Sequence, residues 1–245
     1  MRTYGLIGYP LTQSFSNKYF TEKFEKLGLK DHRHKIFPID DIKKFPALIK
    51  DDPDLVGLNV TMPYKEAVIP FLDELDEVAK AVGAVNTIRV GKKLKGYNTD
   101  AYGFRQALKP FLEPQHHRAL ILGTGGASKA IAYVLKEIGI DFFYVTRKKK
   151  EAGNYFEYEE LNENVMKAFK LIVNCTPVGM FPEINFAPPI PYQYLTRDHF
   201  CFDLIYNPAD TLFMKKAKER GALTQNGHTM LIEQAEKAWE IWNQS

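Results

Sequence analysis

Cysteine is nearly missing from this chain: Cys175 and Cys201 are the only two among 245 residues, and no Cys-x-x-Cys occurs. That excludes a disulfide framework and a zinc knuckle, and makes a reducing, cytoplasmic setting the expected one. The histidines His32, His34, His116, His117, His199 and His228 show no spacing that supplies a third ligand, so surface or packing roles are expected and a metal is not. No apolar run is long enough to span a bilayer, and Met1 to Gly8 enter a strand pattern at once, without a signal-peptide core. Lys and Arg number 33 against 30 Asp and Glu, a net +3, and they are scattered apart from one cluster, which argues against a nucleic-acid surface. Repeats and low-complexity segments are absent too. What remains is small-molecule chemistry, on a chain long enough for one large domain or two modest ones.

The most informative segment present is Ala119-Leu120-Ile121-Leu122 running into Gly123-Thr124-Gly125-Gly126-Ala127-Ser128 and then into Lys129 to Leu135. It reads as a buried strand, a glycine turn and a helix. Glycines allow close backbone approach, and a helix start offers unpaired N–H groups to a pyrophosphate. Alone, such a turn is equally a structural connection, and Ser128 replaces the third glycine of the usual fingerprint. The next strand, Asp141 to Thr146, is placed where a dinucleotide fold reads the adenosine ribose. An acidic residue there favours NAD. This strand instead ends in Thr146-Arg147-Lys148-Lys149-Lys150, a cationic cluster that favours the 2′-phosphate of NADP.

Short apolar runs alternate with helical periodicity along most of the chain, which implies an α/β architecture with largely parallel sheets. Strands are expected at Tyr4–Gly8, His34–Pro38, Leu55–Val60, Leu171–Cys175 and Phe200–Ile205. A hairpin is expected from Ala84–Val90 and Leu94–Tyr97. Phe20, Phe24 and Leu27 mark one face of a helix that Gly28 ends. Further helices are expected over Glu66–Val82, interrupted at Pro70, and over Ala101–Leu112, Thr211–Arg220 and Thr229–Trp242, with a proline-rich loop from Pro182 to Pro191. The expected architecture is two lobes: 1–101 with the returning helix 227–245 as an N-terminal substrate-binding and catalytic domain, and 102–226 as a Rossmann-like NADP-binding domain, with a ligand cleft between them.

Three polar clusters lie at strand ends in the first hundred residues: Asn59-Val60-Thr61-Met62-Pro63-Tyr64-Lys65, Asn86-Thr87 and Asn98-Thr99-Asp100. An isolated lysine is ordinarily a surface residue, and Asn, Thr and Asp are common in caps and turns. Their convergence permits a shared site. Oxidising an alcohol sends a hydride to a nicotinamide and requires removal of the hydroxyl proton, a task for a lysine oriented by an aspartate. Ser14 and Ser16, before the first helix, are ordinary caps or carboxylate donors.

These segments together resemble the shikimate dehydrogenase family over nearly the whole chain. The carrying motifs are Gly8-Tyr9-Pro10 with Ser14 and Ser16; Asn59 to Lys65; Gly83-Ala84-Val85-Asn86-Thr87; Asn98-Thr99-Asp100; Gly123 to Ser128; Asn174-Cys175-Thr176-Pro177-Val178-Gly179-Met180; Asp203-Leu204-Ile205-Tyr206; and Gly227 to Gln234. The resemblance implies NADPH-dependent reduction of 3-dehydroshikimate to shikimate in aromatic amino-acid biosynthesis, by an oxidoreductase acting on a CH–OH group, as a monomer or homodimer. It implies Lys65 and Asp100 as the catalytic pair, Ser14, Ser16 and Thr61 on the substrate carboxylate, and Asn86, Asp100 and Gln234 on its hydroxyls. Tyr206 falls at the junction of substrate and nicotinamide. Gly123, Thr124, Gly125, Gly126, Ala127, Ser128, Thr146, Arg147, Lys148, Leu204 and Gly227 match cofactor contacts. Gln13 and Asn17 stand where the family often has His and Pro, Thr146-Arg147-Lys148 replaces Asn-Arg-Thr, and Lys149 to Glu160 lacks the character of the helix usual there. The chain ends soon after Trp242, so a further C-terminal helix seen in many relatives is expected to be absent. Two alternatives stay open: a quinate/shikimate dehydrogenase using NAD or NADP, and a noncatalytic NADP-binding sensor.

Overall fold

The computed structural model describes residues 1–11, 14–148 and 153–244. Gln13, and Lys149 and Lys150 of the basic cluster, lie outside the described residues. The chain forms two compact units, Met1–Thr99 with Ala235–Ser245, and Asp100–Gln234.

In the first unit the order is β1 (Arg2–Gly8), α1 (Phe15–Lys26), β2 (His32–Pro38), α2 (Phe45–Asp51), β3 (Leu55–Val60), α3 (Tyr64–Ala67), β4 (Glu74–Leu75), α4 (Glu77–Val82), β5 (Thr87–Val90) and β6 (Leu94–Tyr97). They make one sheet in the order β2-β1-β3-β5-β6-β4. The first three strands are parallel, β5 and β6 are the expected antiparallel hairpin, and β4 lies parallel to β6. Ser14 caps α1 by accepting the Asn17 N–H at 3.1 Å, and Phe20 and Phe24 turn inward as their spacing requires. Leu27, expected on that buried face, instead forms the C-cap and is 54% exposed, with Gly28 supplying the left-handed φ of 67° that ends the helix.

Helical spacing over Glu66–Val82 does not yield one helix. Pro70 cannot continue the ladder of α3, and a short 3₁₀ turn, Ile69–Phe71, replaces it. The chain then runs extended so that Leu72 and Leu75 pack over Gly96, where a Cβ would lie 2.6 and 2.9 Å from their methyl carbons. Packing thus outweighs local propensity, and helix resumes only where the Asp76 side chain accepts the Ala79 N–H at 2.8 Å. The hairpin's first strand likewise begins at Thr87 rather than Ala84, although the Asn86 N–H still donates to the Tyr97 carbonyl at 3.1 Å and its carbonyl accepts the Val60 N–H at 2.8 Å.

The last helix of the chain, His228–Trp242, lends its C-terminal half to this unit. Trp242 packs at ring distances of 5.1 Å from both Tyr4 and Phe20, and its indole N–H donates to the Ile88 carbonyl at 3.0 Å. Gly57 makes room for that indole, since any Cβ there would run into the ring. His32 and His34, on one face of β2, stack on Tyr4 and Phe20. Burial drives the His34 imidazole down to about 3, so it is a neutral packing group. Among the described residues no cluster of His, Cys, Asp and Glu is arranged to hold a metal.

The second unit contains most of α5 (Thr99–Leu108), then β7 (Arg118–Leu122), α6 (Gly126–Glu137), β8 (Asp141–Thr146), β9 (Tyr155–Glu157), α7 (Glu163–Ala168), β10 (Leu171–Asn174), β11 (Phe200–Asp203), α8 (Leu212–Lys218), β12 (Leu223–Gln225) and the start of α9 (His228–Trp242). Its sheet is wholly parallel, in the order β12-β11-β10-β7-β8-β9. That is the doubly wound order, whose direction reverses between β7 and β10, and ligands of such sheets bind outside the carboxyl ends at this reversal. α5 begins at Thr99 rather than Ala101 and gives way after Leu108 to a 3₁₀ turn containing Pro110.

One departure from the doubly wound plan stands out. β8 and β9 are parallel neighbours joined only by residues 147–154, with no helix between them among the described residues. Parallel neighbours usually need a crossover of a dozen or more residues. Aromatic pairs hold the two strands instead: Tyr144 stacks on its register partner Tyr155 at 5.4 Å, and Phe143 on Phe156 at 4.9 Å. Among the described residues no helix is long and apolar enough to cross a membrane.

Replacing Trp242 by Ala removes a buried ring and orphans the Ile88 carbonyl, so a loss of about 3–5 kcal/mol is expected in urea unfolding. A change below about 1 kcal/mol would show that the helix end is not part of the first core.

Candidate active site

In the first unit, candidate residues collect at the carboxyl ends of β1 and β3. Gly8 closes β1, and a Cβ there would lie 2.5 Å from the Thr61 methyl, so only glycine lets these strand ends come so close. Thr61 donates its N–H to the Ile7 carbonyl at 2.9 Å, and Tyr9 returns a bond to the Met62 carbonyl at 3.1 Å. Thr61 thus stands at the top of the sheet, near the chain entering α1. Ser14 and Ser16 are partly exposed at the start of that helix, where no acidic side chain occupies the first turn. Backbone N–H groups there add to the hydroxyls as anion donors.

Lys65 lies in α3, and its carbonyl accepts the Val85 N–H at 2.7 Å. The next residue, Asn86, is buried and spends its amide on Thr99: its Oδ1 accepts the Thr99 N–H at 2.6 Å, and its Nδ2 donates to the Thr99 hydroxyl at 2.9 Å. Thr87 lies 3.2 Å from the same hydroxyl, and Asn98 donates to the Ala84 carbonyl at 2.9 Å. These bonds tie Ala84 and Asn86 to the residues that follow the hairpin. They also fix the first residue of α5, so that the backbone of Asp100 follows from a set position, with its side chain only 8% exposed. Asn86, read from sequence as a substrate ligand, is therefore also the peg for the helix that carries Asp100.

In the second unit α5 and α9 meet through Gly103, where a Cβ would lie 3.0 Å from both the Gln234 Cβ and N. Asp100 is one turn before Gly103, so the helix contact draws Asp100 and Gln234 toward one end of the pair. Gln234 is buried, and its Nε2 donates to the Leu231 carbonyl at 2.9 Å.

The glycine turn lies at the carboxyl end of β7. Gly123 adopts φ 94°, open to glycine and strained for other residues, and its N–H donates to the Val145 carbonyl at 2.9 Å. Gly125 is the N-cap of α6, with no side-chain cap and no acid in the first turn, and a Cβ on Gly125 or Gly126 would meet nothing within 4 Å. The helix start therefore faces open space with its N–H groups uncapped, which fits a pyrophosphate. Thr124 is exposed beside them, and Ala127 is partly exposed. Ser128 differs from the expectation in detail: it is buried, and its hydroxyl donates to the Gly125 carbonyl at 2.7 Å, so its side chain braces the turn. Thr146 closes β8 and donates to the Lys148 carbonyl at 2.7 Å, which holds the turn carrying Arg147 and Lys148, both exposed.

On the other side of the strand reversal, Asp203 is a buried carboxylate that ties three segments together. It accepts from Asn174 Nδ2 at 3.0 Å, the Ile205 N–H at 3.1 Å and the Thr211 hydroxyl at 2.6 Å. Asn174 in turn accepts the Thr176 N–H at 3.0 Å and its hydroxyl at 2.7 Å, shaping the loop after β10. Asp203 was legible only as part of a motif, since an acid inside an apolar strand gives no periodic signal. Leu204 and Gly227 are brought together: the Gly227 N–H donates to the Ile205 carbonyl at 3.1 Å, and the Leu204 carbonyl lies where a Gly227 Cβ would be. Tyr206 follows, 41% exposed.

These features define an α/β protein that pairs a polar strand-end site with a doubly wound unit bearing an uncapped glycine-rich helix start. Comparison with known proteins narrows the class. The sequence model of the shikimate dehydrogenase substrate binding domain matches residues 6–88. The shikimate dehydrogenase (NADP(+)) of Desulforamulus reducens is 36% identical, covering 97% of this chain and 88% of that protein. That of Carboxydothermus hydrogenoformans is 39% identical, over 97% and 90%. The crystal structure of the Thermus thermophilus shikimate 5-dehydrogenase, in complex with NADP(H) and shikimate, superposes with a TM-score of 0.87 at 31% identity, covering 99% of this chain and 94% of that one. The chain belongs to the shikimate dehydrogenase family.

Burial raises the Asp203 carboxyl to about 6, against the hydrogen bonds from Thr211, Ile205 and Asn174 that lower it. A carboxyl whose pKa is higher folded than unfolded binds its proton more tightly in the native state. Its contribution to stability is full below about pH 4 and is lost as pH rises to about 6. Urea unfolding of Asp203→Asn against the parent between pH 4 and 7 is expected to remove a decline of roughly 3 kcal/mol. Parallel curves for the two proteins would disprove the shift.

Proposed function

We propose that this chain is an NADP-dependent shikimate dehydrogenase, catalysing the reversible reduction of 3-dehydroshikimate to shikimate. The observation that carries the reading is kinship along almost the full chain, and on this reading Lys65 and Asp100 are the catalytic pair. The domain assignment follows the same reading: residues 1–101 with 227–245 for substrate and 102–226 for NADP. The two thiols, Cys175 half-buried and Cys201 buried, are free, which suits a reducing cytoplasm.

The α6 start fits the cofactor, because Gly125 and Gly126 leave the approach to the uncapped N–H groups open. Gly123 to Ala127 would hold the pyrophosphate and Arg147 with Lys148 the 2′-phosphate, while Leu204 and Gly227 border the nicotinamide side. When bound, NADPH supplies the hydride. Ser14, Ser16 and Thr61 hold the substrate carboxylate, and Asn86, Asp100 and Gln234 its hydroxyls. Tyr206 covers the reacting end. Lys65, as the ammonium, stabilises negative charge on the carbonyl oxygen and gives it the proton; in the oxidative direction the neutral amine takes that proton back. Asp100 accepts from the substrate hydroxyl and orients the amine. Arg147 disfavours the NAD-dependent alternative, since its guanidinium has no partner on an unphosphorylated ribose.

Spectrophotometric assays with shikimate or quinate, each with NADP or NAD, test the reading. Shikimate with NADP is expected to be turned over best, and absence of turnover with every pair would favour the sensor alternative. Lys65→Ala is expected to lower kcat about 10²-fold or more, and a near-parental value would remove its proton-transfer role. Arg147→Ala is expected to raise KM for NADP about tenfold and leave that for NAD nearly unchanged, as loss of a charge-assisted phosphate contact requires. Equal effects on both cofactors would refute the 2′-phosphate assignment.

A further inference from the structure

The short connection after β8 raises the question of what faces the adenosine end of the cofactor where a crossover helix would otherwise stand. Tyr158 is the first residue after β9, in the 3₁₀ turn Tyr158–Glu160. Because Thr146 pairs with Glu157, the residues that follow them, Arg147 and Tyr158, emerge side by side at the carboxyl edge of the sheet. The turn is held firmly: the Glu157 N–H donates to Glu160 Oε2 at 2.7 Å in a capping box. The Tyr158 ring is half-buried and packs against the apolar cluster that includes Leu122, Val145, Leu161 and Ile190.

The electrostatic surroundings agree with that placement. Burial pushes the Tyr158 hydroxyl up to about 12; the nearby Arg147 charge opposes this, and Cys175 adds to it. Arg147 follows β8 and Cys175 follows β10, the strands on either side of β7. Tyr158 leaves β9 at the carboxyl edge of the sheet beside Arg147, on the β8 side of the reversal, where a doubly wound fold places adenosine.

We propose that Tyr158 is a cofactor-binding residue whose ring forms the wall against the adenine, beside Arg147 at the 2′-phosphate, in place of contacts that a crossover helix would make. This rests on the NADP reading above. An aromatic face recognises any adenine nucleotide through stacking and carries no preference for the 2′-phosphate. Tyr158 and Arg147 therefore divide the work: the ring supplies affinity common to NAD and NADP, and the guanidinium supplies the choice between them.

Isothermal titration of the full chain with NADP, NAD and adenosine 2′,5′-bisphosphate tests this without turnover. Tyr158→Leu, which keeps apolar packing and removes the ring, is expected to weaken all three by the same factor, about tenfold. Tyr158→Phe is expected to bind like the parent, and shikimate affinity measured without cofactor is expected to be unchanged in both. Thermal unfolding within a few degrees of the parent confirms that each variant is folded, and Tyr158→Trp, expected to bind at least as well as Tyr158→Phe, serves if the leucine variant is not. Parental affinity of Tyr158→Leu for the bisphosphate, or a loss confined to NADP, overturns the proposal while the NADP reading stands. A parent chain that binds none of the three overturns that reading and this inference with it.

Discussion

Polar groups buried at the ends of strands must find partners, and both units take their functional shape from that obligation. In the first unit the Asn86 amide answers it by accepting the Thr99 N–H at 2.6 Å and donating to the Thr99 hydroxyl at 2.9 Å, at the residue where a helix starts. In the second the Asp203 carboxylate does so for the ends of β10 and β11 and the start of α8. Asn86 reaches backbone beyond the hairpin, whereas Asp203 takes the nearby Ile205 N–H and joins the side chains of Asn174 and Thr211. Removing either would take an acceptor away from buried N–H and O–H donors.

Much of this was legible beforehand. β3 and β8 occur at the bounds their apolar runs set, and the glycine turn leads into α6 as its composition requires. The polar clusters at Asn59 to Lys65, Asn86-Thr87 and Asn98 to Asp100 do lie at strand ends. Their internal economy was not legible, because spacing shows which residues share an end but not which spend their hydrogen bonds on one another. Ser128 illustrates the gap: it stands in the glycine turn, yet its hydroxyl is turned back to the Gly125 carbonyl.

Where the reading failed, long-range packing had overruled local pattern. Periodicity across Glu66 to Val82 satisfied a helix, but Gly96, on a strand later in the chain, offers Leu72 and Leu75 a better place. β9 has only three residues and was invisible by length, and it exists because Tyr155 and Phe156 find rings on β8 to lie against. The unusual composition from Lys149 to Glu160 agrees with the lack of an α-helix among the described residues of that segment. It gave no hint that a strand and a capping box would stand at the end of that segment.

The short link between β8 and β9 also bears on how the sheet assembles. Tyr144 and Tyr155 are register partners separated by a brief stretch of chain, whereas Leu122 and Asn174 must close a loop several times longer. Loop-closure entropy grows by about 0.6 kcal/mol for each doubling of length. A parallel flank that elsewhere waits for a whole crossover is here a local contact, free to form ahead of the sheet's centre and to offer β7 an edge on which to pair.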